Sequence, residues 1–258
     1  MDLDKIFKIP INGREVFNNK IPPDKIIKKR FNYKKDSKEL YILLPPWGGR
    51  IFYNFFLRNL LIKKGYSFLE YEFPKAILST NWKFTLDYFN FIRESVVKES
   101  EKLKKRYGFQ KIKIIGISLG CVNACMCANN NESVDEIFLI LPAHCLAELV
   151  WQGISTQKIR QEYENQKISL KELKNHWHAL APENNITKLK SKKVSIFLSK
   201  ADKVAPYYCG KKLLEKSKSL EYNLFYNIND NLGHYLTVIQ FYLNPKRFLF
   251  DKQGESKL

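Results

Sequence analysis

Lys111-Ile-Lys-Ile-Ile-Gly116-Ile-Ser118-Leu-Gly120-Cys-Val-Asn-Ala-Cys-Met-Cys-Ala128 is the stretch whose reading decides the fold. The apolar run before Gly116 reads as a buried strand, the small residues after Gly120 read as a buried helix, and Gly-Ile-Ser-Leu-Gly is the sharp turn between them. A serine at such a turn is lifted clear of the sheet on strained backbone. The two glycines let strand and helix approach without a Cβ clash. The same turn aims the amide of Leu119 at the space in front of the hydroxyl, where a developing oxyanion could be held.

Two further settings follow downstream. Val194-Ser-Ile-Phe-Leu-Ser199 reads as a buried strand, and Asp202 stands just past its end in Lys200-Ala-Asp-Lys-Val-Ala-Pro206. A strand over 221–226 and a polar loop over 227–233 then lead to His234, at the head of an apolar run ending at Leu243. With Ser118, Asp202 and His234 in that order, the chain resembles the α/β-hydrolase superfamily, whose nucleophile, acid and base follow one another in this way. The resemblance covers about residues 38–245 and implies a Ser118–His234–Asp202 triad. Asp230, on the base's own loop, is the competing acid. His144, at a strand end in Leu141-Pro-Ala-His-Cys145, is the competing base.

A fourth element lies upstream. The strand Leu40-Tyr-Ile-Leu-Leu44 runs into Pro45-Pro-Trp47-Gly48-Gly-Arg50, which resembles the His-Gly-x-Gly oxyanion loop of the same superfamily, with Pro45-Pro46 in place of His-Gly. Pro46 has no N–H, so the second oxyanion donor is expected from Trp47 or Gly48, with Trp47 preferred.

Composition sets the frame. A length of 258 residues suits a single α/β domain spanning 1–258, and 45% hydrophobic with 27% charged residues is ordinary for a globular chain. No apolar run reaches the ~20 residues that cross a bilayer, and the first residues lack a continuous apolar signal segment, so a cytoplasmic protein without stable membrane insertion is expected. Five cysteines, three of them clustered at Cys121, Cys125 and Cys127, read as reduced core residues. They lack the paired spacing of a metal site, and neither metal nor cofactor is expected. The net charge of +18 is dispersed along the chain and reads as solvated lysine faces, with no nucleic-acid motif beside it.

Strands are expected weakly at 5–16 and 26–33 and strongly at 40–44, 66–73, 111–115 and 136–141, alternating with helices at 51–64 and 81–107. That alternation predicts a mainly parallel, doubly wound sheet with helices on both faces. Between Pro142 and Ser191 it stops, and three helical pieces are expected at 145–153, 156–166 and 170–180. The resemblance assigns this insertion, about 143–190 and after the sixth strand, to a helical cap over the serine, with Trp151 and Trp177 exposed and Trp151 and Gly48 touching substrate. His176 and His178 point apart, so they form no metal pair. The aromatics at 52–56 and 82–89 read mainly as core, and the tail after 253 as disordered.

The function expected is a serine hydrolase that cleaves a small carboxylic ester or thioester through a Ser118 acyl-enzyme. The alternatives are an acyltransferase using the same triad and a non-catalytic basic binding protein on the same scaffold. The sequence carries no signal for oligomeric state.

Overall fold

The computed structural model describes residue 23 and residues 27–129, 131–220 and 223–250. Among the described residues seven strands form one sheet in the order β1 (Lys28–Asn32), β3 (Ser67–Glu72), β2 (Glu39–Leu44), β4 (Lys111–Ile117), β5 (Val134–Ile140), β6 (Lys193–Ser199), β7 (Leu224–Asn229). Only β1 runs antiparallel, at the edge; all other pairings are parallel. Side chains alternate between two apolar layers. Leu40, Ile42 and Leu44 of β2 join Ile112 and Ile114 of β4 on one face, while Tyr41 and Leu43 join Ile115 and Ile117 on the other. A strand apolar on both sides must be covered on both sides, as the continuous apolar run Ile114-Ile-Gly-Ile117 predicts.

The first face is covered by α2 (Trp82–Tyr107), α3 (Gly120–Asn129) and α8 (Tyr207–Lys218); the second by α1 (Phe55–Lys63), α9 (His234–Leu243) and α10 (Pro245–Leu249). The long helix α2 starts where its sequence says it should. Asn81 accepts the Lys83 amide through its side chain, and Gly108 ends the helix at φ +68°, which a residue without Cβ adopts freely. The helix expected at 51–64 opens with a 3₁₀ turn over Ile51–Asn54 before α1 begins. Tyr53, Phe55 and Phe56 there are about half exposed rather than core, because the buried stripe of α1 runs through Leu57 and Leu61.

The strand expected at 5–16 and the tail after 253 lie outside the described residues. The helical insertion follows β5, the strand expected at 136–141, which is fifth among the described residues and sixth when the strand expected at 5–16 is counted. It contains α4 (Leu146–Gln152), α5 (Gln157–Asn165), α6 (Leu170–His176) and α7 (Pro182–Asn185). Leu141, at φ +55°, turns the chain sharply out of β5 into this insertion. Trp177 was expected on its surface but is buried at 1% exposure, its Nε1 donating to the Trp82 carbonyl at 3.0 Å and its ring meeting Tyr163 edge-on. Tyr163 in turn donates to the Ser79 carbonyl at 2.7 Å. An indole and a phenol that each satisfy their polar atom inside the molecule are stable buried, so these rings fasten the insertion to the loop after β3 and to the first residue of α2. Trp151 is half-buried against the first layer, and its carbonyl accepts from Arg160.

Glu148 fastens the insertion a second time. Its carboxylate accepts from Lys174 and lies 3.0 Å from His144 Nε2 and 3.6 Å from Lys212 Nζ, so that α4, α6, α8 and the end of β5 meet at one group. Burial alone would raise the Glu148 carboxyl, but the Lys174 hydrogen bond and the charges of His144, Lys174 and Lys212 outweigh it and hold the group below its ordinary value of 4.5. Burial pushes the His144 imidazole below its ordinary value, against the pull of Glu148. A carboxylate depressed in the folded state adds stability above its unfolded value, and loses it as pH falls through its folded one. Glu148→Gln is accordingly expected to lower the melting temperature near neutral pH, and the gap from wild type should narrow as the pH falls below the ordinary carboxyl value of 4.5. Melting curves followed by circular dichroism across that range check this; a gap that persists at low pH would mean that packing, not charge, ties the insertion down.

Candidate active site

The register of β2 against β4 pairs Leu44 with Gly116, so the residues that leave the two strands, Pro45–Gly49 and Ser118–Gly120, are neighbours. The chain also reverses direction across the sheet here, since β3 lies on one side of β2 and β4 on the other. Open α/β sheets offer a crevice at such a reversal. Ser118 stands in it at φ +51°, in left-handed backbone that a serine adopts only when its surroundings impose it, and its own amide is tied to the Ile140 carbonyl at 2.7 Å. Neither flanking glycine can be replaced at no cost. A Cβ on Gly120 would lie 2.1 Å from the Leu44 carbonyl oxygen, and one on Gly116 would lie 2.8 Å from Ala124 Cβ.

Donors for an oxyanion are present on both sides of that turn. Among the described residues the backbone amides of Leu119, Trp47 and Gly48 make no hydrogen bond to the backbone, whereas Gly49 N–H is spent on the Pro46 carbonyl at 2.8 Å. The Trp47 indole is fixed by donation to the Lys75 carbonyl at 2.7 Å, and Gly48 takes φ +71° close to the Lys75 side chain. The α3 N-terminus behind Leu119 adds the positive end of its dipole.

Asp202 and His234 are brought together. His234 Nδ1 lies 2.7 Å from Asp202 Oδ2, both side chains are buried, and the other carboxylate oxygen accepts the amides of Val204 and Ala205 at 2.9 Å each. Asp202 therefore does not cap α8, whose first amide, Tyr207 N–H, goes to the Asp202 backbone carbonyl. With Nδ1 donating to the carboxylate, the lone pair of the imidazole sits on Nε2, the arrangement a general base needs. The third link is not closed: among the described residues the Ser118 hydroxyl makes no hydrogen bond.

The competing residues go elsewhere. Asp230 is exposed and pairs with Lys200 at 2.7 Å. His144 is held between Glu148 and the Cys209 carbonyl. His176 lies flat on Trp82, ring centres 3.8 Å apart. All five cysteines are buried free thiols, and burial pushes Cys125 up to about 12, which leaves it protonated and unreactive. No cluster suited to a metal ion occurs among the described residues.

Three residues that sequence reasoning passed over build the loop that carries His234. Asn229 Oδ1 accepts the amides of Asn231 and Leu232 at 2.9 and 3.2 Å, Ser199 Oγ donates to the Leu232 carbonyl, and Thr237 Oγ1 donates to the Gly233 carbonyl at 3.0 Å. Strand β7 runs to Asn229, three residues later than the expected end at 226, and this gives Asn229 its place at the loop's base. An asparagine two residues before another in a polar loop is the turn signal that could have located it.

No protein-family model matches the chain, and no curated protein matches it by sequence. Solved structures do. An acylaminoacyl peptidase from Pyrococcus horikoshii superposes over 88% of this chain at 12% identity and a TM-score of 0.64, although the match spans only 40% of the peptidase. An acetyl xylan esterase from Paenibacillus sp. R4 matches over 84% of this chain and 78% of its own at 10% identity and the same score. The esterase Pf2001 of Pyrococcus furiosus matches over 91% and 94% at 16% identity and 0.58. At these identities the likeness speaks for architecture, and together with the sheet order and the strand-turn-helix at Ser118 it establishes that the chain has the α/β-hydrolase fold.

Proposed function

We propose that the chain is a serine hydrolase that cleaves a carboxylic ester or thioester of a small molecule through an acyl-enzyme on Ser118. The observation that carries this reading is the 2.7 Å contact between His234 and Asp202, set on the same sheet edge as a serine in left-handed backbone. In the proposed reaction His234 Nε2 takes the Ser118 proton as Oγ attacks the carbonyl carbon, and the amides of Leu119 and Trp47 receive the oxyanion. The imidazolium, steadied by Asp202, gives its proton to the leaving alcohol or thiol. Water activated by the same Nε2 then releases the acid. Hydrogen bonds between such a serine and its base commonly tighten only in the substrate complex, which accommodates the open third link.

The same reading makes the insertion at about 143–190 a cap and places Gly48 and Trp151 beside the substrate. Two of the structural neighbours described above are esterases, and an ester rather than a peptide is the substrate proposed here. No helix among the described residues is long and apolar enough to cross a membrane, and the buried thiols fit a reducing, cytoplasmic setting.

A fluorophosphonate probe tests the reading directly. The full chain is expected to be labelled once, on the peptide that contains Ser118, and to hydrolyse p-nitrophenyl esters; adding an alcohol acceptor should not divert the acyl group. Absence of both labelling and hydrolysis would favour a non-catalytic binding protein, and diversion to the alcohol would favour a transferase.

A further inference from the structure

A cavity of about 360 Å³ lies between the edge strand β7 and the helices α9 and α10, and Ser118 is not among the residues that line it. Besides Asn229 and Thr237, four polar residues line it: Asn227 from β7, Gln240 from α9, Asn244 from the end of α9 and Arg247 from α10. Among the described residues none of these four side chains has a hydrogen-bond or ion-pair partner. Among the described residues no Asp or Glu lines the cavity, so no carboxylate there pairs with Arg247, whose side chain is open to solvent. Phe225 and Phe248 supply an apolar wall, each packed on Phe197 at ring-centre distances of 5.7 and 5.2 Å.

A guanidinium that shares a cavity with side-chain amides and has no carboxylate partner there favours a planar anion, because its fork matches the two oxygens of a carboxylate. The phenylalanine wall rewards an apolar body on the same molecule, and the volume falls in the range of small-molecule sites. From this combination we infer that the cavity binds a small organic carboxylate with an aromatic or aliphatic body. Its occupant touches the scaffold of the base loop, since Asn229 and Thr237 line the cavity and also hold the backbone at 231–233. Binding should therefore alter ester turnover. That second effect rests on the role proposed for His234; binding itself does not.

Calorimetric titration of the full chain with benzoate, with acetate and inorganic phosphate as comparison ligands, tests the inference. Benzoate is expected to bind saturably and more tightly than either, and equally well to Ser118→Ala. Arg247→Gln should weaken it about tenfold or more, the loss expected when a charge-assisted hydrogen bond is removed. Asn227→Asp, nearly the same shape with a like charge, should abolish it. The inference is overturned if benzoate shows no saturable binding at millimolar concentration, if phosphate binds more tightly, if both variants bind as wild type does, or if Ser118→Ala loses binding, which would move the site to the serine. Arg247 is exposed and without a partner among the described residues, and Asn227→Asp is near-isosteric, so both variants are expected to fold.

Discussion

Ser118→Ala is expected to abolish hydrolysis of p-nitrophenyl esters, with turnover lowered by about 10⁴ to 10⁶, the loss typical when a member of such a triad is removed. The fold should scarcely respond. The hydroxyl makes no hydrogen bond among the described residues, so its removal leaves no partner unsatisfied, and alanine meets the same backbone strain at φ +51° that serine already bears. Stability should stay within about 0.5 kcal/mol of wild type. Steady-state kinetics paired with thermal melting checks both halves. Activity above a tenth of wild type would place the nucleophile elsewhere; inactivity accompanied by unfolding would say nothing for Ser118 and would contradict the strain argument.

The second large effect concerns Asp202. An asparagine there can still accept the Val204 and Ala205 amides through its carbonyl oxygen, so the loop should keep its shape. Its NH₂ would then face His234 Nδ1 and donate to it, forcing the imidazole proton onto Nε2, where a base must have its lone pair. Turnover of Asp202→Asn is expected to fall by about 10⁴ for that reason. Asp230→Asn should change turnover less than about twofold, since its carboxylate is exposed and engaged with Lys200. The reverse pattern, with Asp230→Asn crippled and Asp202→Asn active, would overturn the assignment of the acid. The pH profile supplies an independent check: a variant with the wrong tautomer loses turnover across the whole range rather than only at its acidic limb.

The two predictions draw on different levels of information. The elbow at Ser118 was legible because a strand, a tight turn and a helix each leave a local pattern, and because two glycines at fixed offsets meet a local steric demand. The parallel sheet was legible for the same reason: its strands are apolar on both faces, and alternation with amphipathic helices follows from covering them. The order Ser118, Asp202, His234 was legible as a resemblance, and it favoured Asp202, just past a strand end, over Asp230 on the base's own loop.

Tertiary structure pairs Asp202, and not Asp230, with the imidazole. Asp202 is turned inward because two backbone amides and the imidazole together meet its charge, while Asp230 finds a lysine in solvent. The burial of Trp177 was equally invisible, since the carbonyl that satisfies its indole belongs to Trp82, 95 positions away. So was the footing of the His234 loop on Ser199, which lies on the neighbouring strand β6 and donates to the Leu232 carbonyl, 33 positions away. What the sequence determined by itself was every feature set by periodicity, backbone geometry and the chemistry of neighbouring residues. What only the tertiary structure decided was which polar groups find partners inside, because a buried charge or N–H is stable only beside a group that distant chain segments bring to it.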